Sequence, residues 1–434
     1  MDTAQRSLPF QSAYFIGIKG AGMCALAQVF EGWGVAVSGS DTNEEFFTDA
    51  VLRKLGIAVL EGFDRKHVPS DTEAIFYSTA YGDDNPEIAH ARKLGKTLYT
   101  YAEGLYMILE RTAGIGVAGT HGKTTVTAMI GRVLEQAGFD PTVVVGGKVL
   151  EWETNARIGK SQWAVAEIDE YQEKFLQYPL RHLVLTSIEY DHPDYFATPE
   201  RYEEAFLKLI ERLPKGATLV SNAAYNAIER ILSRAQRRNL NVLRYDVATA
   251  DGEVPKLLIP GRHNRENALA ALTMARALGI DDETIRVALE NFRGTARRFE
   301  IYCEKPFVVI DDYAHHPRAV TVTLEAARER YPGKKIWVVF HPHTFSRTKV
   351  LLHEFAQALS LADHAVVLDI YGSAREAAGT VQSSDLVRLV SGAIHIPSCE
   401  EAAAYLRARV GEGEVVIAMG AGDVWKVARA LRAS

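Results

Sequence analysis

The sequence predicts an α/β protein made of three successive open sheets. Short apolar segments of strand length alternate with helical patterns almost from end to end, the signature of parallel sheets with crossover helices. Glycine-rich turns stand where the first and second blocks pass from strand to helix. The 434 residues exceed what one ordinary core accommodates, so length alone predicts two or three domains. With 47% hydrophobic and 24% charged residues there are apolar side chains enough for several buried cores.

Charge and composition exclude several classes. A net charge of −6 gives no electrostatic footprint for a polyanion, so nucleic acid is not expected as a partner and any phosphate must be held locally. Cys24, Cys303 and Cys399 are scattered without CxxC spacing, which argues for a reducing compartment and against a thiolate metal site. All three read as packing residues. Residues 1–11 carry neither the apolar core nor the basic flank of a targeting segment, and no stretch is long enough to span a bilayer. A cytoplasmic protein with no membrane partner is expected.

The first block opens with a strand over residues 14–18, then a helix whose Leu26, Val29, Phe30 and Trp33 share one face, then strands near Val35 and Ile75. The intervening loop, Gly17-Ile18-Lys19-Gly20-Ala21-Gly22, can accept a pyrophosphate in the Rossmann manner. Its order is GxxGxG rather than the dinucleotide GxGxxG, although Asp41 after the second strand could imitate a ribose-binding acid. A nicotinamide site and a purely structural tight turn both stay open for this loop.

The second block begins at a strand over residues 115–118. The following helix carries Val126, Met129, Ile130, Val133, Leu134 and Ala137 at helical spacing and stops at Gly138. Between them lies Gly119-Thr120-His121-Gly122-Lys123-Thr124-Thr125. Here glycines let successive N–H groups turn inward, the helix start adds positive potential, Lys123 supplies a mobile charge for terminal phosphates, and Thr124 offers magnesium a hydroxyl. The strict Walker spacing wants glycine at Val117, so this is a shorter variant, a P-loop-like turn; a glycine turn with an exposed lysine is the bland alternative. Glu167 ends a strand over 163–166 and His192 follows one over 183–186, at the strand ends where parallel sheets place ligand sites. Both are candidate metal ligands beside the loop, while Asp169, Glu170 and Glu189 read equally well as solvated loop charges.

The third block starts after Gly294, with strands over 307–310, 336–340, 365–368 and 415–419. The histidines His315, His316, His341 and His343 invite a zinc proposal, but neither pair shows HExxH. With Asp311, Asp312, Tyr313 and Arg347 they form a polar set suited to a charged substrate, or else a satisfied loop network. Gly420-Ala421-Gly422-Asp423 after the last strand fits close helix packing as well as ligand binding. Boundaries near 111 and 294 divide the chain into expected domains 1–111, 112–294 and 295–434.

With these residues in place, the chain resembles the Mur ligases of peptidoglycan synthesis along nearly its whole length. GIKGAGM (17–23), SGSD (38–41), GTHGKTT (119–125), the segment from Glu167 through Asp191-His192, GRHNRENA (261–268), ARRFE (296–300), DDYAHHP (311–317), HPHTFSRT (341–348) and GSARE (372–376) occur in the family's order. The resemblance implies a Rossmann-like first domain for a UDP-sugar, a central P-loop ATPase-like domain for ATP, and a Rossmann-like last domain that helps bind nucleotide and amino acid. It implies an ATP- and Mg2+-dependent ligase that joins L-alanine to the carboxylate of UDP-N-acetylmuramate, acting as a monomer or weak homodimer. The branch that attaches a ready-made tripeptide is the second reading, on Glu170-Tyr171 and Tyr190.

Residue by residue, the resemblance puts Lys123 on the β- and γ-phosphates, Thr124, Glu167 and His192 around magnesium, and Asn264 and Asn267 on adenine. Gly119, Thr120, His121, Gly122 and Thr125 complete the nucleotide loop. Asp312 would contact ribose, one of Arg297 and Arg298 the phosphates, and Arg347, His343 and His315 the reacting carboxylate or incoming alanine, with Tyr313 nearby. Gly20, Gly22, Ser38 and Asp41 would lie near UDP. Some longer alanine-adding members carry arginine where this chain has Thr344, which leaves Arg347 as the cationic partner of alanine's carboxylate. Sibling ligases carry a carbamylated lysine where this chain has Phe206.

Overall fold

A computed structural model describes residues 7–235, 239–372 and 379–432. Of the GSARE motif only Gly372 falls inside that range; residues 373–376 lie outside the described residues. The first sheet comprises β1 (Ser12–Ile16), β2 (Ala36–Asp41), β3 (Ala58–Glu61), β4 (Ala74–Tyr77) and β5 (Leu98–Thr100), in the order β3-β2-β1-β4-β5. All its pairs are parallel, and β1 lies between β2 and β4, so the chain's direction of winding reverses at β1. The crevice beyond such a strand is where open α/β sheets bind ligands, and it is where the first glycine loop falls.

The second sheet contains β6 (Ala113–Ala118), β7 (Thr142–Val149), β8 (Thr154–Arg157), β9 (Trp163–Glu167), β10 (Leu180–Leu185), β11 (Thr218–Asn222) and β12 (Asn241–Tyr245). Their order is β12-β11-β10-β6-β9-β7-β8, with only β8 antiparallel to its neighbour. Here the switch falls at β6, between β10 and β9. The third sheet, β13 (Glu300–Cys303), β14 (Val308–Asp312), β15 (Ile336–Phe340), β16 (His364–Val367), β17 (Ile394–His395) and β18 (Val415–Met419), runs β13-β14-β18-β15-β16-β17 with an antiparallel edge at β13.

The apolar runs become strands because both sheet faces are covered. In β18 the residues Val415, Ile417 and Met419 join one core and Val416 and Ala418 the other, so an unbroken apolar run is buried on both sides. In the first sheet Phe15 stacks on Phe76 at 5.1 Å, and Phe30 from the helix Ala21–Gly32 meets Phe76 edge-on at 5.1 Å. That geometry adds aromatic attraction to the burial. The first strand spans Ser12–Ile16 rather than residues 14–18, and it ends two residues earlier than the apolar pattern suggests because Gly17 at φ +81° turns the chain out of the sheet. The short strands β3, β5 and β17 and the hairpin β7–β8 escape sequence reading, since two to four residues, or a strand carrying Gly146 and Gly147, show little periodicity.

The chain divides into two compact units. One comprises Met1–Glu189, Pro199–Lys256 and Asn267–Phe292; the other comprises Tyr190–Thr198, Leu257–Glu266 and Arg293–Ser434. The first unit therefore holds both of the first two sheets, and two segments from the middle of the chain belong with the third. Within the first unit a polar seam joins the helix Ala21–Gly32 to β8. Gln28 donates to Asn155 at 2.9 Å and accepts from Thr154 at 2.5 Å, while Asn155 donates to the Ala21 carbonyl at 2.6 Å. Gln28 and Asn155 are buried, and pairing them spares the cost of leaving polar groups dry.

Candidate active site

The loop at the end of β6 is short. Ala118 ends the strand and Lys123 starts the helix Lys123–Gln136, and Val117, where the longer motif has glycine, is a fully buried strand residue. Two glycines make the turn possible. Gly119 sits at φ +134°, where an added Cβ would fall 2.2 Å from Thr186 Oγ1; Gly122 sits at φ +79°, where it would fall 2.4 Å from Asn267 Oδ1. Gly122→Ala should therefore lower stability by more than Gly138→Ala, which bears a similar φ of +75° in open space. Strain of that kind costs about 1–3 kcal/mol, and the excess at Gly122, read from urea midpoints, isolates the Asn267 contact.

The loop is pinned from β10's carboxyl end. Ser187 accepts the Thr120 N–H through its carbonyl at 3.0 Å and the His121 N–H through its hydroxyl at 2.9 Å. The Thr186 hydroxyl donates to the His121 carbonyl at 2.5 Å, and the His121 ring lies 3.0 Å from Glu189. Thr120 Oγ1 is 2.9 Å from the buried hydroxyl of Tyr202. Thr124 and Thr125, in the first helical turn, are buried.

Lys123 reaches back across the loop. Its ammonium donates to the Gly119 carbonyl at 2.6 Å and to Glu170 Oε2 at 2.9 Å, and Glu170 Oε1 accepts from Tyr202 at 2.8 Å. Glu170 is 1% exposed, which corrects its reading as a solvated loop charge. Burial works to lower the Lys123 ammonium, but Glu170, Asp169 and Glu167 outweigh it and hold the group above its ordinary value. Thr124 donates to Glu167 Oε1 at 3.1 Å, and the other Glu167 oxygen accepts the Gly146 N–H at 2.8 Å. A hydroxyl and a carboxylate so placed are the hard oxygen donors that Mg2+ takes. Phe206 is fully buried against Phe175 and Tyr202, with ring centroids 5.3 and 5.2 Å away, so the aromatic at this position props the tyrosine that supports the loop.

His192 lies in the second unit at φ +56°, where its N–H donates to Asp191 Oδ1 at 2.7 Å. Asp191, to which the sequence assigns no role of its own, is the anchor of a buried network. Arg347 Nε and Nη2 both donate to Asp191 Oδ1, at 3.1 and 2.9 Å, and Arg347 Nη1 lies 3.2 Å from His343 Nδ1. A guanidinium only donates, so that nitrogen accepts. Burial works to raise the Asp191 carboxyl, but the Arg347 guanidinium outweighs it and holds the group well below the usual carboxylate range. The His343 ring meets the His315 ring at 5.9 Å, and His315 Nδ1 lies 2.8 Å from the Tyr313 carbonyl, which assigns its proton to Nδ1. Burial first, then Arg347, pushes the His315 imidazole well below its ordinary value, so it is neutral with Nε2 unprotonated. Thr344 caps the short helix Phe345–Val350, its hydroxyl accepting the Arg347 N–H at 3.4 Å.

The structure separates the two adjacent arginines. Arg297 is engaged internally, donating to Asp311 Oδ2 at 3.1 Å and to the Gly420 carbonyl at 2.6 Å. Burial pushes the Asp311 carboxyl up to about 7 against the pull of that guanidinium. Both guanidiniums lie over the Tyr313 ring at 5.1 Å, so the bonds to Asp311 and Gly420 are what set Arg297 apart. Asp312 is buried and accepts the Phe299 and Ala314 N–H groups, each at 2.8 Å, so it staples its own loop. His316 caps the helix Pro317–Arg330. Asn264 and Asn267 are buried on the helix Arg262–Ala277; Asn264 donates to the Pro260 carbonyl at 2.7 Å, and Asn267 faces Gly122.

In the first sheet, Asp41 closes the glycine loop by accepting the Lys19 N–H at 2.6 Å. The buried Lys19 ammonium pairs with Asp49 at 2.9 Å and donates to the Thr42 carbonyl at 3.0 Å. Gly20 precedes the helix Ala21–Gly32, and a Cβ at Gly22 would meet the Tyr101 ring at 2.8 Å. Ser38 lies mid-strand opposite Tyr14, and the Ser40 carbonyl two residues on receives the Gly17 and Ile18 N–H groups.

Comparison with known proteins agrees with this architecture. The model of the Mur ligase family catalytic domain matches residues 12–112, that of the Mur ligase middle domain 117–256, and that of the Mur ligase glutamate ligase domain 297–422. The chain is 39% identical to a UDP-N-acetylmuramate–L-alanine ligase of Desulfitobacterium hafniense, over 96% of its own length and 98% of the relative's. It is 36% identical to one from Ligilactobacillus salivarius, over 96% and 95%. The crystal structure of the UDP-N-acetylmuramate-alanine ligase of Thermotoga maritima superposes with a TM-score of 0.81 at 29% identity, covering 97% of this chain and 98% of that one. A murein peptide ligase from Psychrobacter arcticus, at 21% identity and a TM-score of 0.72 over 97% and 98%, shares the fold. Fold and family together define an ATP-dependent, amide-bond-forming ligase. The chain belongs to the Mur ligase family. Among the described residues no helix is long and apolar enough to cross a membrane.

Proposed function

We propose that this chain joins L-alanine to the carboxylate of UDP-N-acetylmuramate in peptidoglycan precursor synthesis. The observation that carries the proposal is the nucleotide loop itself, with Lys123, Thr124 and Glu167 converging at the carboxyl edge of the second sheet in a chain matched end to end by alanine ligases. A carboxylate is unreactive toward amines because its leaving group is poor. Transfer of the ATP γ-phosphoryl to it, releasing ADP, makes an acyl phosphate; the neutral amine of alanine attacks, and phosphate leaves as the amide forms.

From the first unit, Lys123 neutralises the β- and γ-phosphates, with Gly119, Thr120, His121, Gly122 and Thr125 shaping their cradle. Thr124 and Glu167 would hold Mg2+, with His192 as the further ligand the resemblance adds, and the ion would supply charge stabilisation for phosphoryl transfer. Asn264 and Asn267 serve adenine, and Gly20, Gly22 and Asp41 lie toward UDP. In the second unit the free capacity lies with Arg298 rather than Arg297 for phosphate, and Asp312 keeps a lone pair on each oxygen for ribose. Arg347, His343 and Tyr313 line the place of the carboxylates. His315 is neutral with Nε2 unprotonated, so that nitrogen can accept a hydrogen bond from the incoming alanine's amine and orient it. We place the enzyme in the cytoplasm, as a monomer or weak homodimer.

An assay with ATP, Mg2+, UDP-N-acetylmuramate and a panel of amino acids and peptides tests the proposal. Phosphate should appear only with both acceptor and L-alanine present, and the product mass should equal the acceptor plus one alanine residue. Turnover with a tripeptide and none with alanine would reverse the assignment.

A further inference from the structure

Beyond the carboxyl ends of β15 and β16 lies a cavity of about 310 Å³ whose lining includes His341, Asp369, Tyr371, Ser398, Cys399 and Asp423. We propose that His341, Cys399 and Asp423 form a binding site for a thiophilic divalent transition metal of the Zn2+ and Co2+ class, separate from the magnesium donors. The three ligand atoms lie within 4.8 Å of one another. His341 Nδ1 is 3.4 Å from Asp423 Oδ1, and Cys399 Sγ is 3.8 Å from the same oxygen. A tetrahedral ion with bonds of about 2.0–2.3 Å needs ligand separations of roughly 3.3–3.8 Å; the two separations to Asp423 Oδ1 already fall there, the His341–Cys399 separation is within 4.8 Å, and the fourth position is left toward the cavity.

His341 and Asp423 are already placed for this use. His341 is 7% exposed, and its Nδ1 makes no hydrogen bond among the described residues although it lies within 4.8 Å of the other two ligand atoms. A Cβ at Gly422 would come within 3.1 Å of that nitrogen, so the glycine keeps the ion's space open. Lys426 donates to Asp423 Oδ2 at 2.8 Å and thereby turns Oδ1 toward His341 and Cys399, the outer-shell arrangement that orients metal ligands. Metal binding breaks the Cys399 S–H bond: the proton goes to solvent and the sulfur electron pair to the ion. The scattered cysteine spacing excludes only sites built from sequence-local thiols. These ligands come from three segments, after β15, at the start of the helix Cys399–Arg407, and after β18.

Co2+ titration of the full chain, with excess Mg2+ to occupy hard oxygen sites, tests the proposal. One equivalent should produce a thiolate-to-cobalt charge-transfer band and the visible bands of a tetrahedral ion, and equimolar Zn2+ should bleach them. Cys399→Ser should lose the charge-transfer band completely, Cys303→Ser should keep it, and Asp423→Asn should weaken Co2+ binding by about 10-fold or more. The metal-free thermal midpoint of Cys399→Ser checks that it is folded, and Zn2+ should raise the midpoint of the Cys303→Ser variant but not of Cys399→Ser. Absence of the band in the unsubstituted chain, or its survival in Cys399→Ser, overturns the proposal.

Discussion

Replacing Lys123 by methionine should reduce ligase turnover by about 10²–10³-fold or more, the usual loss when one preorganised charge-stabilising donor is removed. Binding of the UDP-sugar, measured by calorimetry, should be nearly unchanged, because its expected loop belongs to the first sheet and Lys123 follows the second. The same substitution strands Glu170, which is 1% exposed and keeps Tyr202 as a hydrogen-bond donor. Leaving one member of a buried ion pair uncompensated costs about 3–5 kcal/mol, visible in the urea midpoint. Adding Glu170→Gln should restore most of that stability and none of the turnover. Recovery of turnover in the double variant would show that Lys123 serves the fold and not the phosphates.

The second large effect is expected at Arg347. Arg347→Met should lower turnover by about 10²–10³-fold and stability by about 3–5 kcal/mol, since Asp191 is left buried and charged. Arg347→Lys should rescue little, because one ammonium cannot reproduce the paired donation to Asp191 together with the third bond to His343. The pH dependence has a definite sign. The folded Asp191 carboxyl is held below its unfolded value of about 3.9, so the pair's stabilisation is present above that pH and is lost as pH falls toward the folded value. Without Arg347 the largest charge opposing burial is gone and only the neighbouring His192, His316 and His315 still pull the carboxyl down, so it rises relative to the unsubstituted chain and acidification from neutral pH should narrow the stability gap between the two. A gap that stays constant between pH 7 and pH 4 would mean that Asp191 is not the uncompensated group.

Local pattern carried much of this molecule. A Gly-Lys-Thr turn between a buried strand and an amphipathic helix is legible because strand, turn and helix start are contiguous, and Lys123, Thr124 and the strand-end Glu167 do stand together. Glu170 and Asp191 were not legible in the same way. A carboxylate in a loop has the same letter whether solvated or buried, and only the approach of Tyr202, 32 residues away, and of Arg347, 156 residues away, decides which. That Arg297 engages Asp311 and the Gly420 carbonyl was equally hidden, since both partners lie elsewhere in the chain.

The amino-acid order by itself determined the α/β class, the three blocks and the glycine turn, because these rest on periodicity and on backbone conformations that act within a few residues. Tertiary structure alone decided which charges are buried, which arginine Asp311 and the Gly420 carbonyl engage, and that His341, Cys399 and Asp423 converge on one cavity. Those outcomes depend on desolvation and on distances between segments far apart in sequence, and both come into being only when the sheets close around their cores.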